Sequence, residues 1–327
     1  MKTKTIPSIH YPLCALAAVL LALAPGRAAA APPAFFVSGG ANGNVLAYDA
    51  TGTAATGYTS PAGISNAEGV AYNAANNTLY VADMTNSQIR TFNATTGAET
   101  QLGFASATGL NRPYGLALNV GVLYAANFTG NTITAYNAST GAAVTTGLPS
   151  PTNLSRPAGL AVNATTLFVS NYQNSTVAAF NLATGTPAAG FTTISGLTNP
   201  YGLALYGNAL FVANRNGTTV GEYDATTGTV INANFITGLN GPNGLAILGN
   251  QLLVTNGNNG TVGAYGIPTT ATLNNTPTSA NPSFLTGLSS PAFIAVVVPE
   301  PSTWALVAAG AGLLGVVALH RRCARPI

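Results

Sequence analysis

The chain has 327 residues, a formal net charge of +3 and only 5% charged residues. Its positive charge lies near the two ends: between residues 31 and 298 there are four arginines, six carboxylates and no Lys, His, Cys or Trp. This composition excludes a cationic surface for nucleic acid, a histidine general base and a cysteine or lysine nucleophile. Metal sites with Cys or His ligands are excluded too, which leaves oxygen-ligated ions such as Ca²⁺.

The first thirty residues are predicted to be a secretory signal peptide. Lys2 and Lys4 are followed by an apolar run over residues 13–24 and by small residues at 28–30. A positive segment, a short apolar run and a small-residue cleavage site in this order are typical of export signals. We therefore expect residues 1–30 to be removed and a body spanning residues 31–298 to be exported.

A repeated motif runs through this body. Its form is x-Pro-x-Gly-Leu-Ala or a close variant, and successive copies lie 42 to 49 residues apart. Such a spacing is typical of the four-stranded blades of a β-propeller. The six copies begin at Asn66, Arg112, Arg156, Asn199, Gly241 and, in degenerate form, Ser290.

Further strands are predicted after each copy, and the two ends of the body complete one another. The second strand ends in Asp or Asn, as at Asp83, and the third ends in an aromatic residue before a Thr-Gly turn. Residues 35–62 begin at a second strand, whereas residues 293–298 supply a first strand alone. The sequence therefore predicts an all-β, six-bladed propeller closed by a composite N- and C-terminal blade. Closure removes exposed sheet edges, and an open solenoid is the alternative.

This pattern resembles the six-bladed propellers of the NHL-repeat and gluconolactonase/regucalcin superfamily. For the metal-dependent lactonases of that group, the resemblance implies an axial metal held by residues just before the motif glycine. Glu68 and Asn243 occupy such positions and suit a calcium-type ion. The remaining positions hold side chains without a carboxylate or amide: Tyr114, Ala158, Tyr201 and Ala292. We expect no cofactor, with Ca²⁺ at Glu68 and Asn243 as the alternative, and we assign no catalytic residue.

Two tyrosines and two arginines of the motif are candidate ligand contacts. The rings of Tyr114 and Tyr201 suit the apolar face of a sugar, with neighbouring amides fixing its orientation. Arg112 and Arg156 precede prolines and suit an acidic sugar. The alternatives are packing against the next blade for the tyrosines and bonds to loop carbonyls for the arginines. The Asp or Asn that ends each second strand is expected to be structural.

Residues 299–327 end the chain with three features in a fixed order. Pro299, Glu300 and Pro301 precede an apolar run over residues 304–319, which Arg321 and Arg322 follow. As a helix this run would span roughly 24 Å, so we predict a single transmembrane helix with the arginines on the cytoplasmic side. A buried core helix is the alternative. The tail resembles the PEP-CTERM sorting signal of Gram-negative bacteria, which implies an exosortase as a partner.

These observations favour a non-enzymatic protein of the cell envelope, surface or extracellular matrix. The expected partners are the sorting enzyme and an exopolysaccharide or another envelope protein. The C-terminal helix would anchor the chain in the inner membrane before processing, and no nucleic-acid partner is expected. The alternative is a lactonase or related hydrolase that depends on a calcium-type metal on the propeller axis.

Overall fold

The computed structural model describes residues 33–100, 104, 109–144, 153–268 and 276–297. The predicted signal peptide, sorting triplet, transmembrane run and arginine cluster lie outside these residues. Every named element in the described part of the chain is a β-strand. No helix within these ranges is long and apolar enough to cross a membrane.

The strands form six antiparallel sheets, which we call blades and number along the chain, with blade 6 holding both ends of the body. Blades 1 to 3 each have three strands in the described residues, blades 4 and 5 each have four, and blade 6 has three. Blade 1 contains β3 (Ala67–Asn73), β4 (Thr78–Asp83) and β5 (Gln88–Asn93); blade 2 contains β6 (Pro113–Asn119), β7 (Val122–Asn127) and β8 (Thr132–Asn137); blade 3 contains β9 (Pro157–Val162), β10 (Thr166–Asn171) and β11 (Thr176–Asn181). Blade 4 contains β12 (Pro200–Tyr206), β13 (Ala209–Asn214), β14 (Thr219–Asp224) and β15 (Val230–Ile236); blade 5 contains β16 (Pro242–Leu248), β17 (Gln251–Asn256), β18 (Thr261–Gly266) and β19 (Ala280–Leu285); blade 6 contains β20 (Ile294–Val296), β1 (Phe35–Ser38) and β2 (Val45–Tyr48).

Within the described residues, the fourth strand is reduced to isolated bridges in blades 3 and 6. In blade 3 one of these bridges joins Phe180 to Pro187. Proline has no N–H to give to a strand ladder, and pairing resumes beyond it, where Val177 bridges Ile194. Blade 6 has a single bridge at the same place, between Tyr48 and Ala54.

Blade 6 confirms the predicted composite closure. Strand β1 pairs with β2 on one side and with the C-terminal β20 on the other, with Phe35 opposite Val296 and Val37 opposite Ile294. The innermost strands β3, β6, β9, β12, β16 and β20 then contact one another in a ring, and β20 packs against β3. The sheet order therefore closes into a six-bladed propeller.

The motif glycines are required by close packing around the axis. A Cβ on Gly69 would clash with the backbone carbonyl of Tyr114 in the next blade, and one on Gly115 would clash with that of Ala158. Blades 3, 4 and 5 repeat the arrangement. Because only glycine allows this backbone approach, the motif sets the distance between neighbouring blades.

Hydroxyl groups in three second strands link the innermost strands of neighbouring blades by hydrogen bonds. Ser170 Oγ accepts a hydrogen bond from Gly159 N–H at 2.7 Å and donates to the Tyr201 carbonyl of the next blade at 2.6 Å. Its counterparts are Thr255, between Gly244 and Ala292, and Ser38, between Phe293 and Glu68.

The hydrophobic core lies between blades rather than at the centre. In the described residues, buried apolar side chains form six clusters, each centred on one pair of neighbouring blades. Second strands contribute large residues such as Tyr80, Phe168 and Phe211, all fully buried. Burial of each such side chain stabilises the fold by about 1.5–3 kcal/mol.

The propeller has two ends, which the strand directions define. Innermost strands begin at one end, as at Ala67 and Pro113, which we call the mouth face. They finish at the other end, as at Asn73 and Asn119, which we call the base face. The turns between second and third strands lie on the mouth face, and those between first and second strands lie on the base face.

Candidate binding site at the mouth of the propeller

The predicted axial residues all lie where the innermost strands begin, so the mouth face brings the candidate positions together. The six blades place these residues before the motif glycine or its equivalent: Glu68, Tyr114, Ala158, Tyr201, Asn243 and Ala292. These residues differ in exposure, however: Ala158 is fully buried, whereas Tyr114 is partly exposed.

Tyr201 closes the axis at this end. Its side chain is only 1% exposed, and its hydroxyl donates to Glu68 Oε2 of blade 1 at 3.2 Å. The Arg215 guanidinium lies 4.6 Å from the centre of its ring, and the Phe293 ring lies 5.2 Å away. Ligand contact by Tyr201 stays a prediction, and it would require one of these neighbours to move.

Glu68 is a buried carboxyl group whose surroundings favour its neutral form. It is 8% exposed, and burial raises its pKa to about 7 against the opposing effects of Arg215, the Tyr201 hydrogen bond and Arg112. The Asn66 amide, oriented with its nitrogen towards acceptors, donates to Glu68 Oε1 at 3.2 Å. Both carboxyl oxygens therefore have hydrogen-bond donors, and positive charges stand nearby.

Arg112 and Arg156 occupy equivalent places in blades 2 and 3. Both are exposed, and both have a left-handed backbone, with φ of 51° and 49°. The preceding blade accepts a hydrogen bond from each backbone N–H: Ser87 Oγ binds that of Arg112 at 3.0 Å, and Asn131 Oδ1 binds that of Arg156 at 2.7 Å. This fixes the start of each side chain at the rim of the mouth.

The arginine side chains of the mouth lie over neighbouring groups without carboxylate partners. Arg112 Nη2 is 3.4 Å from Met84 Sδ, and the Arg156 guanidinium is 5.6 Å from the Phe128 ring centre. Among the described residues, the one ion pair joins Arg90 to Glu99 at 2.8 Å, on the outer strands of blade 1. Three guanidinium groups, counting Arg215, therefore stand on this face together with two buried carboxyl groups, Glu68 on the axis and Asp83 at the end of β4.

Aromatic rings form a continuous layer beneath these arginines. Tyr114 stacks on Phe128 with ring centres 4.3 Å apart, and Phe128 contacts Tyr172 at 5.7 Å. Tyr201 meets Tyr114 and Tyr172 edge-on at 5.9 and 6.2 Å. Tyr114 thus stacks on a ring of its own blade rather than on the next blade, and it remains partly exposed at the mouth. Ligand contact by Tyr114 stays a prediction.

Sequence reasoning missed the residues that follow the second strands. Each comes directly after the Asp or Asn at the strand end, in a turn of the mouth face: Met84, Phe128, Tyr172, Arg215 and Gly257. The sequence does contain a signal for these residues. The position holds a different residue in every repeat, although the residue before it is always Asp or Asn. Positions that vary on a repeated scaffold are those free to make a specific surface.

The Asp and Asn residues themselves have a structural role. Asn127 Oδ1 accepts from the backbone N–H of Asn111 at 3.0 Å, and its amide donates to Thr132 at 3.2 Å. The other blades repeat the bond to the incoming loop, through Asp83, Asn171, Asn214 and Asn256. Each side chain therefore joins the loop that enters a blade to the end of its second strand.

Asn243 offers one free acceptor beside the axis. It is 4% exposed, and its amide donates to the Pro291 carbonyl at 3.1 Å, whereas its Oδ1 has no partner in the described residues. A Cβ at position 257 would clash with this amide, so only glycine leaves space for the Asn243 side chain.

Ca²⁺ requires six to eight oxygen ligands, and no cluster of three His, Cys, Asp or Glu occurs in the described ranges. The donors around Glu68 and the nearby arginines do not fit a calcium ion.

Comparisons with known proteins agree with the fold and the tail. The family PQQ_2, described as outer membrane protein assembly factor BamB, matches residues 12–234. The PEP-CTERM protein-sorting motif matches residues 297–322, which include Pro299, Glu300, Pro301, Arg321 and Arg322. No curated protein matches the chain.

Two solved structures are similar at the level of the fold. A nidogen/laminin complex has a TM-score of 0.63 at 13% identity, covering 81% of this chain and 98% of that one. The computationally designed Ika8 protein has a TM-score of 0.52 at 16% identity, covering 80% and 74%. The predicted propeller and sorting motif are confirmed, while membership of the NHL or regucalcin group stays a prediction.

Proposed function

The chain belongs to the PQQ_2 repeat family described as outer membrane protein assembly factor BamB, and we propose that it is a non-enzymatic binding protein of the cell surface whose mouth face binds acidic polysaccharide. The PEP-CTERM motif indicates export and sorting to the surface or envelope by an exosortase-type enzyme. The predicted signal peptide and membrane-spanning run belong to this proposal, as does a Gram-negative envelope.

The observation that carries the proposal is the composition of the mouth face. Arg112, Arg156 and Arg215 stand there without carboxylate partners among the described residues, above an aromatic layer. Guanidinium groups bind carboxylates in a bidentate manner, and an exposed ring edge or face supports a sugar ring. A chain of uronate sugars offers both features in every residue.

Binding of a defined polysaccharide tests the proposal. We expect the exported protein to bind polygalacturonate, measured by isothermal titration calorimetry, and to bind neutral dextran at least tenfold more weakly. Replacing Arg112, Arg156 and Arg215 together by alanine should reduce polygalacturonate binding at least tenfold. Arg90→Ala is the matched control, because Arg90 is already paired with Glu99 on the outer strands of blade 1. Unchanged binding in the triple variant, or an equal loss in the control, would contradict the proposal.

A protein of the envelope is the second candidate partner, and the family description as an assembly factor favours it. A photo-crosslinking amino acid at Thr129, an exposed position on the mouth face, distinguishes the two. A single protein adduct in cells, together with no polysaccharide binding, would favour this candidate.

A lactonase remains the enzymatic alternative, supported by one observation. A carboxyl group with a pKa of about 7 on the axis has the acidity of a general base. Lactone hydrolysis that is lost both on chelation and in Glu68→Gln would establish it.

A further inference from the structure

Both ends of the described chain leave the propeller at the base face. Strand β20 runs from the mouth to the base, and β1 runs antiparallel to it. The last hydrogen bond joins Val297 N–H to the Ala34 carbonyl at 2.8 Å. The sorting motif, which begins at residue 297, therefore starts from the base face, opposite Arg112, Arg156 and Arg215.

The chain between the propeller and the apolar run is short. Six residues, 298–303, separate Val297 from Trp304, where the run begins. Fully extended, they reach at most about 20–22 Å. When the run is in the membrane, the exit point at Val297 must lie within about that distance of the bilayer. Because this connection is short, the propeller can turn only one of its two faces towards the lipid.

The base face carries an unusual apolar turn. Val120 is 92% exposed and has φ of 42° at the turn between β6 and β7. A β-branched residue with positive φ is a genuine outlier. The same turn position in blades 4 and 5 holds Gly207 and Gly249, with φ of 57° and 61°. Valine is thus placed in a conformation that suits glycine, with its side chain in solvent.

The surroundings of Val120 are also uncharged and largely apolar. A neighbouring cavity of about 350 Å³ is lined by residues that include Val122, Tyr124 and Leu182. At the axis, aliphatic side chains such as Leu205, Ile247 and Val296 line a cavity of about 280 Å³. No Lys or Arg occurs in the base-face turns of the described residues, so contact with lipid there would be apolar rather than electrostatic.

We propose that the base face lies on the membrane surface while the tail anchors the chain, with Val120 at the boundary between headgroups and acyl chains and the mouth directed away. This orientation rests on the proposed function, in which the apolar run spans the membrane. It leaves the arginines and the aromatic layer open to a ligand on the outer side of the inner membrane even before the tail is processed.

Fluorescence quenching in vesicles tests the orientation. The described propeller contains no cysteine, so single labels are introduced into the full chain with Cys14→Ser and Cys323→Ser. One fluorophore is placed by Val120→Cys, and a second base-face site, Asn250→Cys, serves if position 120 does not accept a label. Thr129→Cys, in the mouth-face turn between β7 and β8 of the same blade, is the matched control. The probe is a phosphatidylcholine vesicle containing lipid with a nitroxide on its headgroup.

We expect labels at 120 and 250 to be quenched at least threefold more strongly than the label at 129, with little change between low and high salt. Equal quenching at the two ends, or stronger quenching at 129, in a chain that sediments with the vesicles overturns the orientation alone. A labelled chain that does not sediment with the vesicles overturns the anchoring in the proposed function, and this orientation with it.

Discussion

The hydroxyl of Tyr201 donates to Glu68 Oε2 at 3.2 Å across the propeller axis, which joins blade 4 directly to blade 1. This bond links two side chains that the repeat pattern places at equivalent positions 133 residues apart. It also fills the space in which an axial ligand would otherwise lie.

Stability should fall as Glu68 ionises. Its pKa rises from 4.5 to about 7 on folding, so the folded state holds the proton more tightly than the unfolded state. The stabilisation that protonated Glu68 contributes to the folded state is complete below pH 4.5 and is lost as the pH rises to about 7. At 1.36 kcal/mol per pKa unit, it amounts to about 3 kcal/mol. Urea denaturation of Glu68→Gln should lack this part of the pH dependence, and parallel profiles for the two proteins would contradict it.

Removing only the Tyr201 hydroxyl should destabilise the protein moderately. Tyr201→Phe leaves Glu68 Oε2 without its donor, at a cost of about 1–3 kcal/mol at pH 8, whereas Tyr201→Ala should cost about 3–5 kcal/mol by opening a cavity. The hydrogen bond from Tyr201 lowers the pKa of Glu68, so this pKa should be higher in Tyr201→Phe. Chemical denaturation measures the free energy of unfolding and, through its pH dependence, the pKa of Glu68. Tyr206→Phe, at the base end of the same strand, is the control and should have little effect.

The motif glycines should tolerate no side chain. A Cβ at Gly115 would meet the backbone of Ala158 and Gly159 in the next blade, and backbone cannot move without separating the blades. Gly115→Ala should therefore lower the free energy of unfolding by at least about 3 kcal/mol, as overpacking does at its upper range. Gly39→Ala, where a Cβ finds ordinary contacts at 3.4 Å or more, is the matched control. A similar, small loss in both variants would show that axial packing is looser than described.

Val120→Gly should stabilise the fold. The left-handed backbone costs a non-glycine residue about 1–2 kcal/mol, and glycine regains part of this after its own entropy cost. A net gain of about 0.5–1 kcal/mol is expected in thermal or urea denaturation. Val122→Gly, two residues along in an extended strand, should instead lose stability. A loss in the Val120 variant would mean that the valine side chain makes a stabilising contact.

The sequence predicts the blade count and the composite closure because each depends on residues that recur at fixed intervals. It does not predict the fate of individual mouth residues. Tyr114 and Tyr201 occupy the same repeat position, yet one is partly exposed and the other is buried. The difference comes from the residues after the second strands, since Phe128 stacks on Tyr114 whereas Arg215 covers Tyr201. Each of these contacts lies within one blade, but it depends on the side chain at a position that differs from repeat to repeat, so the repeat pattern does not predict it.

The pairing of β1 with β20 has a consequence for export. The strand that completes blade 6 ends at Val296, only eight positions before the apolar run begins at Trp304. Because β1 pairs with β20, blade 6 cannot be completed until the segment that ends at Val296 is available. Under the proposed export from the N-terminus, β1 and β2 would therefore have no partner on one side until almost the whole chain has crossed the membrane, and a chain interrupted before residue 294 would keep an open edge at β1.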